Sequence, residues 1–307
     1  KSQSDGLGYF YGWDLASNTG GGAFLSGIQR IRARTGLIES TFQGCYSGVR
    51  FEVPHTELPP RDCACDGTTG DESKPLRSVS FPGCEAITSE SQYCLTTAGG
   101  SLALLGIDSG AVCPVATEAS VGLTPSDVTL AWRGEAAYAC LYGAGLVRIS
   151  LTDATVQYGG VACGGVAVDD AGRLLVSMPT SDHFWSRALY AFDSWQDVLA
   201  GRSDGALPIT GFLERFTVRN GILYDAWHAT DTINRFDLAS GAPLSPLTLD
   251  AYDGWILGLS VTGDGRLFLP GDTWGGTVWV FDAQTGVAEG IVKPASSVTG
   301  IACVDRT

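Results

Sequence analysis

Methionine occurs once in these 307 residues, lysine is sparse, histidine occurs three times, and no apolar run approaches the length of a membrane span. With only one Met against 41 Gly, the composition speaks for many tight turns and few helices. Basic residues are outnumbered, 19 Lys and Arg against 33 Asp and Glu, and the net charge of −14 excludes nucleic acid and anionic membrane surfaces as partners. The absence of a long apolar run excludes a spanning helix. Nucleophile and cofactor signatures are missing too: there is no G-x-S-x-G elbow, no H-E-x-x-H, no P-loop and no dinucleotide fingerprint. The chain opens at Lys1 without Met or a signal peptide, so a processed export precursor is expected.

What the chain does have is a repeat. A strand running into a tight turn recurs as LALLGIDSG, VRISLTDA, LYAFDSWQ, INRFDLASG and VWVFDAQTG, with turn-entry residues Asp108, Ser150, Asp193, Asp237 and Asp282. The steps grow from 42 to 45 residues, the period of a β-propeller blade. IQRIRARTG, with Arg32 aligned, adds a sixth unit across an insertion. A second hairpin repeats in register, GGVAVDDAGRLLV from Gly164 and LGLSVTGDGRLFL from Leu257, each turning at a glycine. The chain ends on VTGIACVDRT, which matches the first half of this hairpin, and begins with DGLGYFYGWD, which matches the second half. The expectation is one all-β domain over 1–307, a six-bladed β-propeller of four-stranded blades closed by pairing of the N- and C-terminal strands. Blade 1 then joins 298–307 to 5–42, and the others cover 44–116, 121–159, 162–210, 212–250 and 255–293. Two stretches break the period: the glycine-rich loop from Asp14 to Gly27, and a Cys-rich insertion at 54–90. The acidic tract near Asp66 lacks calcium-loop spacing and reads as a solvated loop.

Nine cysteines, five of them between Cys45 and Cys94, in a Gly-rich, Lys-poor chain point to disulfides and an extracellular, periplasmic or cell-surface location. A Cys63-x-Cys65, Cys84, Cys94 zinc site is the alternative, without the usual C-x₂-C knuckles. Cys140 and Cys163 sit at neighbouring strand ends and are expected to pair. Cys45, Cys63, Cys65, Cys84, Cys94 and Cys113 are expected to pair among themselves, leaving Cys303 a buried free thiol in the apolar run Ile301–Val304.

The two hairpins and the FDLASG and FDAQTG turns at Asp237 and Asp282 resemble those of the NHL-repeat and gluconolactonase/strictosidine-synthase-like propellers. The resemblance is architectural and implies six blades. Enzymes of that group hold calcium or another divalent metal in the central channel through Glu, Asn and Asp. Here Asn18, Asn220 and Asn234 fall outside the inner-strand starts.

In a propeller the loops between second and third strands share a face with the blade linkers. Four such loops are decorated, PTSDHFWSR, DAWHATDT, PGDTWGG and GWDLASNTGGG, as is the linker DAYDGW. They bring Trp13, Asp14, Trp185, Trp227, Asp253, Trp255 and Trp274 to one face as candidate ligand-binding residues, because ring faces stack on C–H surfaces while carboxylates accept hydroxyl hydrogens. His183, His228, Asp231 and Asp272 are the catalytic candidates. His183, His228, Asp182 and Asp231 form a candidate His/carboxylate set for one divalent metal ion. Each piece has a plainer reading: a Trp spaces blades, and a loop Asp such as Asp272 or Asp231 caps its own turn. The favoured function is binding of a small-molecule or carbohydrate ligand, or of a protein partner, at this face. Alternatives are a metal-assisted hydrolase, a lactonase-like enzyme or an isomerase on the same face, and a structural subunit docking through 54–90.

Overall fold

In a computed structural model, strands are described at 2–4, 9–16, 24–32 and 38–42, and the chain is described over 79–116, 128–141, 145–180, 183–227, 231–250, 252, 254–271 and 276–306. Two compact units result, Lys1–Gly67 and Thr68–Thr307. The first holds one antiparallel sheet in the order β1 (Ser2–Ser4), β2 (Tyr9–Ala16), β3 (Phe24–Arg32) and β4 (Ile38–Phe42). Strands β2 and β3 take up much of the stretch read as a long Asp14–Gly27 loop.

The second unit is a propeller of four-stranded blades, and among its described residues there are five blades rather than the expected six. From the axis outward, one blade is β8 (Val128–Arg133), β9 (Ala136–Leu141), β10 (Gly145–Ser150) and β11 (Val156–Tyr158). The next is β12 (Gly165–Val168), β13 (Leu174–Thr180), β14 (His183–Phe192) and β15 (Ala206–Gly211). Then come β16 (Arg215–Arg219), β17 (Ile222–Ala226), β18 (Thr232–Asp237) and β19 (Pro243–Thr248). The fourth is β20 (Ser260–Val261), β21 (Arg266–Gly271), β22 (Thr277–Asp282) and β23 (Ala288–Val292). The fifth is composite: the C-terminal strand β24 (Val298–Cys303) lies inside β5 (Tyr93–Ala98), β6 (Ser101–Gly106) and β7 (Val112–Ala116). The inner strands neighbour one another in the order β24, β8, β12, β16, β20 and back to β24.

This corrects the expected closure. Residues 298–303 pair not with 6–12 but with Tyr93–Ala98, from Val298↔Ala98 to Cys303↔Cys94, while Phe10 and Gly12 pair with Ser4 and Ser2. The physical reason is an empty edge. Among the described residues β5–β7 have no inner strand of their own from the preceding chain, and an unpaired inner edge is costly when buried. The Thr96 hydroxyl donates to the Gly300 carbonyl at 2.8 Å and Gln92 Nε2 to that of Val304 at 3.0 Å, fastening the strand along its length. Cys303 is no free thiol: it is bonded to Cys94 across the pair. Cys84 is bonded to Cys113, tying the described end of the insertion, with its short helix α1 (Glu85–Thr88), to the outer strand β7. Cys140 and Cys163 are also bonded, and Cys45, Cys63 and Cys65 lie outside the described residues.

Burial follows position in the blade. Strands β9 and β10 are buried throughout, whereas β19 on the rim buries only one residue of six. Leu102, Leu104, Leu174, Leu175, Leu223 and Leu267 are fully enclosed, each contributing roughly 1.5–3 kcal/mol. The repeated aspartates build the outer turns. Asp282 Oδ1 accepts from the Gln284 and Thr285 amides and the Thr285 hydroxyl, and Asp237 Oδ1 accepts from Ser240 in the same way. These bonds lower both carboxyl pKa values. Gly286 closes its turn at φ 77, where a side chain would strain the backbone and strike the Thr248 carbonyl of the preceding blade. The third and fourth strands of one blade are joined instead by helix α2 (Trp195–Ala200), capped by Ser194 accepting from the Asp197 amide and ended by Gly201 at φ 63. Its Trp195 packs on Tyr138 of the preceding blade.

Candidate ligand-binding site

The unusual chemistry lies at one end of two adjacent blades, 165–211 and 215–248. Arg215 pairs with Ala226, so the residues just before β16 (Phe212, Leu213, Glu214) and just after β17 (Trp227) share that end. Gly165 pairs with Ser177, and Arg187 pairs with Pro179 two steps further along β13. The blades approach closely here. A Cβ on Gly165 would lie 2.7 Å from the Glu214 carbonyl, where the backbone cannot yield, and one on Gly164 would displace the Arg187 guanidinium from its present place. The buried Ser177 hydroxyl crosses the gap to donate to the Leu213 carbonyl at 2.6 Å.

Four charged side chains fill the interface. Arg187, 7% exposed, donates through Nη2 to Glu214 Oε1 at 2.9 Å, and Arg215 Nη1 lies 3.5 Å from Glu214 Oε2. Glu214 is therefore held between two guanidinium groups. Asp225, also 7% exposed, lies on β17 near enough to Glu214 to feel its charge. Burial pushes its carboxyl up to about 7, and the Glu214 charge adds to the effect. Burial also lowers the Arg187 pKa, against the pull of Glu214. Three buried atoms of this group have no hydrogen-bond partner among the described residues: Arg187 Nε, Arg187 Nη1 and Asp225 Oδ1. Beside them the rings of Phe212 and Trp227 meet edge to face, centroids 4.2 Å apart, and Phe212 remains 44% exposed.

Of the residues picked from the sequence, Trp227 belongs to this group. Trp255, half exposed, stands where the chain enters the 260–292 blade, next to the Ile256–Gly271 bridge. Asp231 is exposed and accepts the Thr232 hydroxyl at 3.1 Å, a local turn role. His183 and Trp185 lie on β14, and Trp13 and Asp14 on β2 of the first unit. Asp182, His228, Asp253, Asp272 and Trp274 lie outside the described residues. No group of three His, Cys, Asp or Glu suited to a metal occurs among the described residues. Arg187, Glu214, Arg215, Asp225 and Phe212 were not picked out. Arg187 and Asp225 stand within the decorated segments PTSDHFWSR and DAWHATDT, and the signal for Glu214 and Arg215 was a charge pair opening an inner strand.

No family model matches the chain, and no curated protein does. Among solved structures, glutaminyl cyclase of Myxococcus xanthus is similar at TM-score 0.42 and 15% identity, over 56% of this chain and 72% of that one. A nidogen/laminin complex gives TM-score 0.45 and 12% identity, over 69% and 98%. Hydrazine synthase of Kuenenia stuttgartiensis gives 0.36 and 14%, over 55% and 49%. Likeness at this level assigns no function to the chain.

Proposed function

We propose that this chain is an exported propeller that binds a small amphipathic ligand, or a protein partner, at the shared end of the 165–211 and 215–248 blades. The observation that carries the reading is the Phe212–Trp227 ring pair, open to solvent at Phe212, set next in the chain to a buried charged group with unused hydrogen-bonding atoms. Apolar surface with a few convergent polar groups is the composition of ligand sites generally. Three disulfides suit an oxidising compartment, and among the described residues no helix is long and apolar enough to cross a membrane. The test uses two variants of the full chain: Phe212→Ala with Trp227→Ala, and residues 56–88 replaced by a short Gly-Ser turn. Both are screened against a glycan array and a small-molecule thermal-shift panel. The reading expects every hit of the natural chain to vanish in the first variant and survive in the second. The reverse pattern moves function to the insertion and overturns it.

A second reading, an enzyme, is favoured by one observation. A buried carboxyl titrating near 7 is suited to general acid–base work at neutral pH. In that reading Asp225 acts with His183, His228, Asp182, Asp231 or Asp272, with or without a divalent metal. Elemental analysis of the purified protein, together with the His183→Ala/His228→Ala double variant, separates the two readings. Bound zinc, calcium or iron that the double variant loses favours the enzyme, and ligand binding that the double variant retains favours the binding module.

A further inference from the structure

The unused atoms at this site specify a ligand chemistry. Arg187 Nε and Nη1 are donors, and Asp225 Oδ1 is an acceptor, all shielded from solvent. Leaving such groups unpaired costs roughly 1–3 kcal/mol each, so a fold that buries three of them around Glu214 carries a burden that a ligand can relieve. A second feature points to the same place. Leu213 holds φ 42, a left-handed conformation that a branched side chain rarely adopts, and the Ser177 hydroxyl anchors its carbonyl. That strained residue lets one three-residue segment present Phe212 to solvent and Glu214 to Arg187.

The partner must therefore supply both acceptors and a donor, plus an apolar face for the rings. Its charge is constrained as well. An anion would meet Glu214, a cation would meet Arg187 and Arg215, and burying a further full charge in this interface is expensive whatever its sign. A neutral hydroxyl both donates and accepts, and a pyranose carries several hydroxyls around a C–H face. Resting on the reading above that this end binds ligand, we propose that it is a subsite for a neutral carbohydrate. Arg187 and Asp225 hold ring hydroxyls, and Phe212 with Trp227 packs on the sugar face.

Saturation-transfer NMR on the full chain tests this with neutral probes (glucose, galactose, mannose and N-acetylglucosamine), an acidic one (glucuronate) and a cationic one (glucosamine). The proposal expects transfer to a neutral sugar, with affinity reduced at least about tenfold in Arg187→Lys and in Asp225→Ala. Phe212→Ala and Trp227→Ala alter exposed or half-exposed rings and should weaken the same sugar. They decide the matter if either buried variant fails to fold. Binding confined to glucuronate or glucosamine overturns the carbohydrate class while leaving a ligand site. Sugar binding that ignores all four variants but falls with Trp255→Ala overturns the subsite and keeps the wider reading. No transfer from any probe overturns the proposal, and the reading of the face as a ligand site then rests on the array and thermal-shift screen.

Discussion

The propeller has a charged network at each end of its inner strands, and the two are built differently. At the finishing ends, Asp305 bonds Arg219 and accepts the Gly263 amide, while Asp170 accepts the Gly221 amide and lies 3.9 Å from Arg219. These groups come from three neighbouring blades and the chain terminus, and all are open to water: Asp305 is 52% exposed, Asp170 41% and Arg219 30%. Arg219 Nε is buried without a partner among the described residues, but the rest of its side chain is open to water. At the starting ends, Arg187 and Asp225 are almost wholly buried, with atoms unused and one carboxyl titrating near 7. Exposed charges can knit blades together at little cost, because water satisfies whatever the protein does not. Buried charges with unsatisfied atoms carry a cost that water does not remove. The lesson is that burial, rather than the number of charges, separates a structural network from a candidate site.

Cutting the ring without favouring either end should have the largest effect. The Cys94–Cys303 bond spans 209 residues, and closing a loop of that size stabilises by roughly 5 kcal/mol in the chain-entropy model. Replacing both cysteines by Ala should lower urea stability on that order and weaken both networks together. A loss below 1 kcal/mol would mean that pairing of β24 with β5 alone holds the ring.

Asp225 offers the next largest effect and distinguishes the ends by pH. Its folded pKa lies above the ordinary 3.8, so between those values the folded state binds the extra proton. Stability from this group is fully present below about pH 4 and is lost as pH rises through about 7. Asp225→Asn should remove that slope and gain up to about 4 kcal/mol at pH 8, whereas Asp305→Asn should show no gain. Denaturant titrations from pH 4 to pH 8 read the difference. Arg187→Ala comes third, costing roughly 3 kcal/mol by leaving Glu214 without its closer partner. Arg219→Ala should cost no more than about 1 kcal/mol, and equal losses would erase the contrast. Smallest is Phe212→Ala, which should change stability by about 0.5 kcal/mol or less, since Phe212 lies on the surface with nearly half of its area open to water.

The periodic part of this architecture is legible in the sequence. The GGVAVDDAGRLLV and LGLSVTGDGRLFL hairpins are inner-strand hairpins, and the Asp237 and Asp282 turns bond as such turns do, because strand alternation and turn chemistry are local. Blade number was not legible. It depends on which edge takes up residues 298–303, and the resemblance of VTGIACVDRT to half a hairpin suits any open inner edge. Cys303 was misread for a related reason: an apolar run looks the same whether its cysteine packs as a thiol or bonds across the strand pair. The site was half legible. Trp227 stood out as an aromatic in a decorated loop, but Arg187 and Asp225 sit on strands at the margins of such loops. Their peculiarity is being buried and unpaired, which only the packing of Gly164, Gly165 and Glu214 against them creates.

The central claim is that the starting end holds a buried carboxyl in reserve, and the most direct measurement is the ¹³C NMR titration of the Asp225 side chain in the folded protein. A midpoint near 7 is expected. A midpoint near 4, the ordinary range for an aspartate in water, would contradict the account, placing the Asp225 carboxyl in contact with solvent.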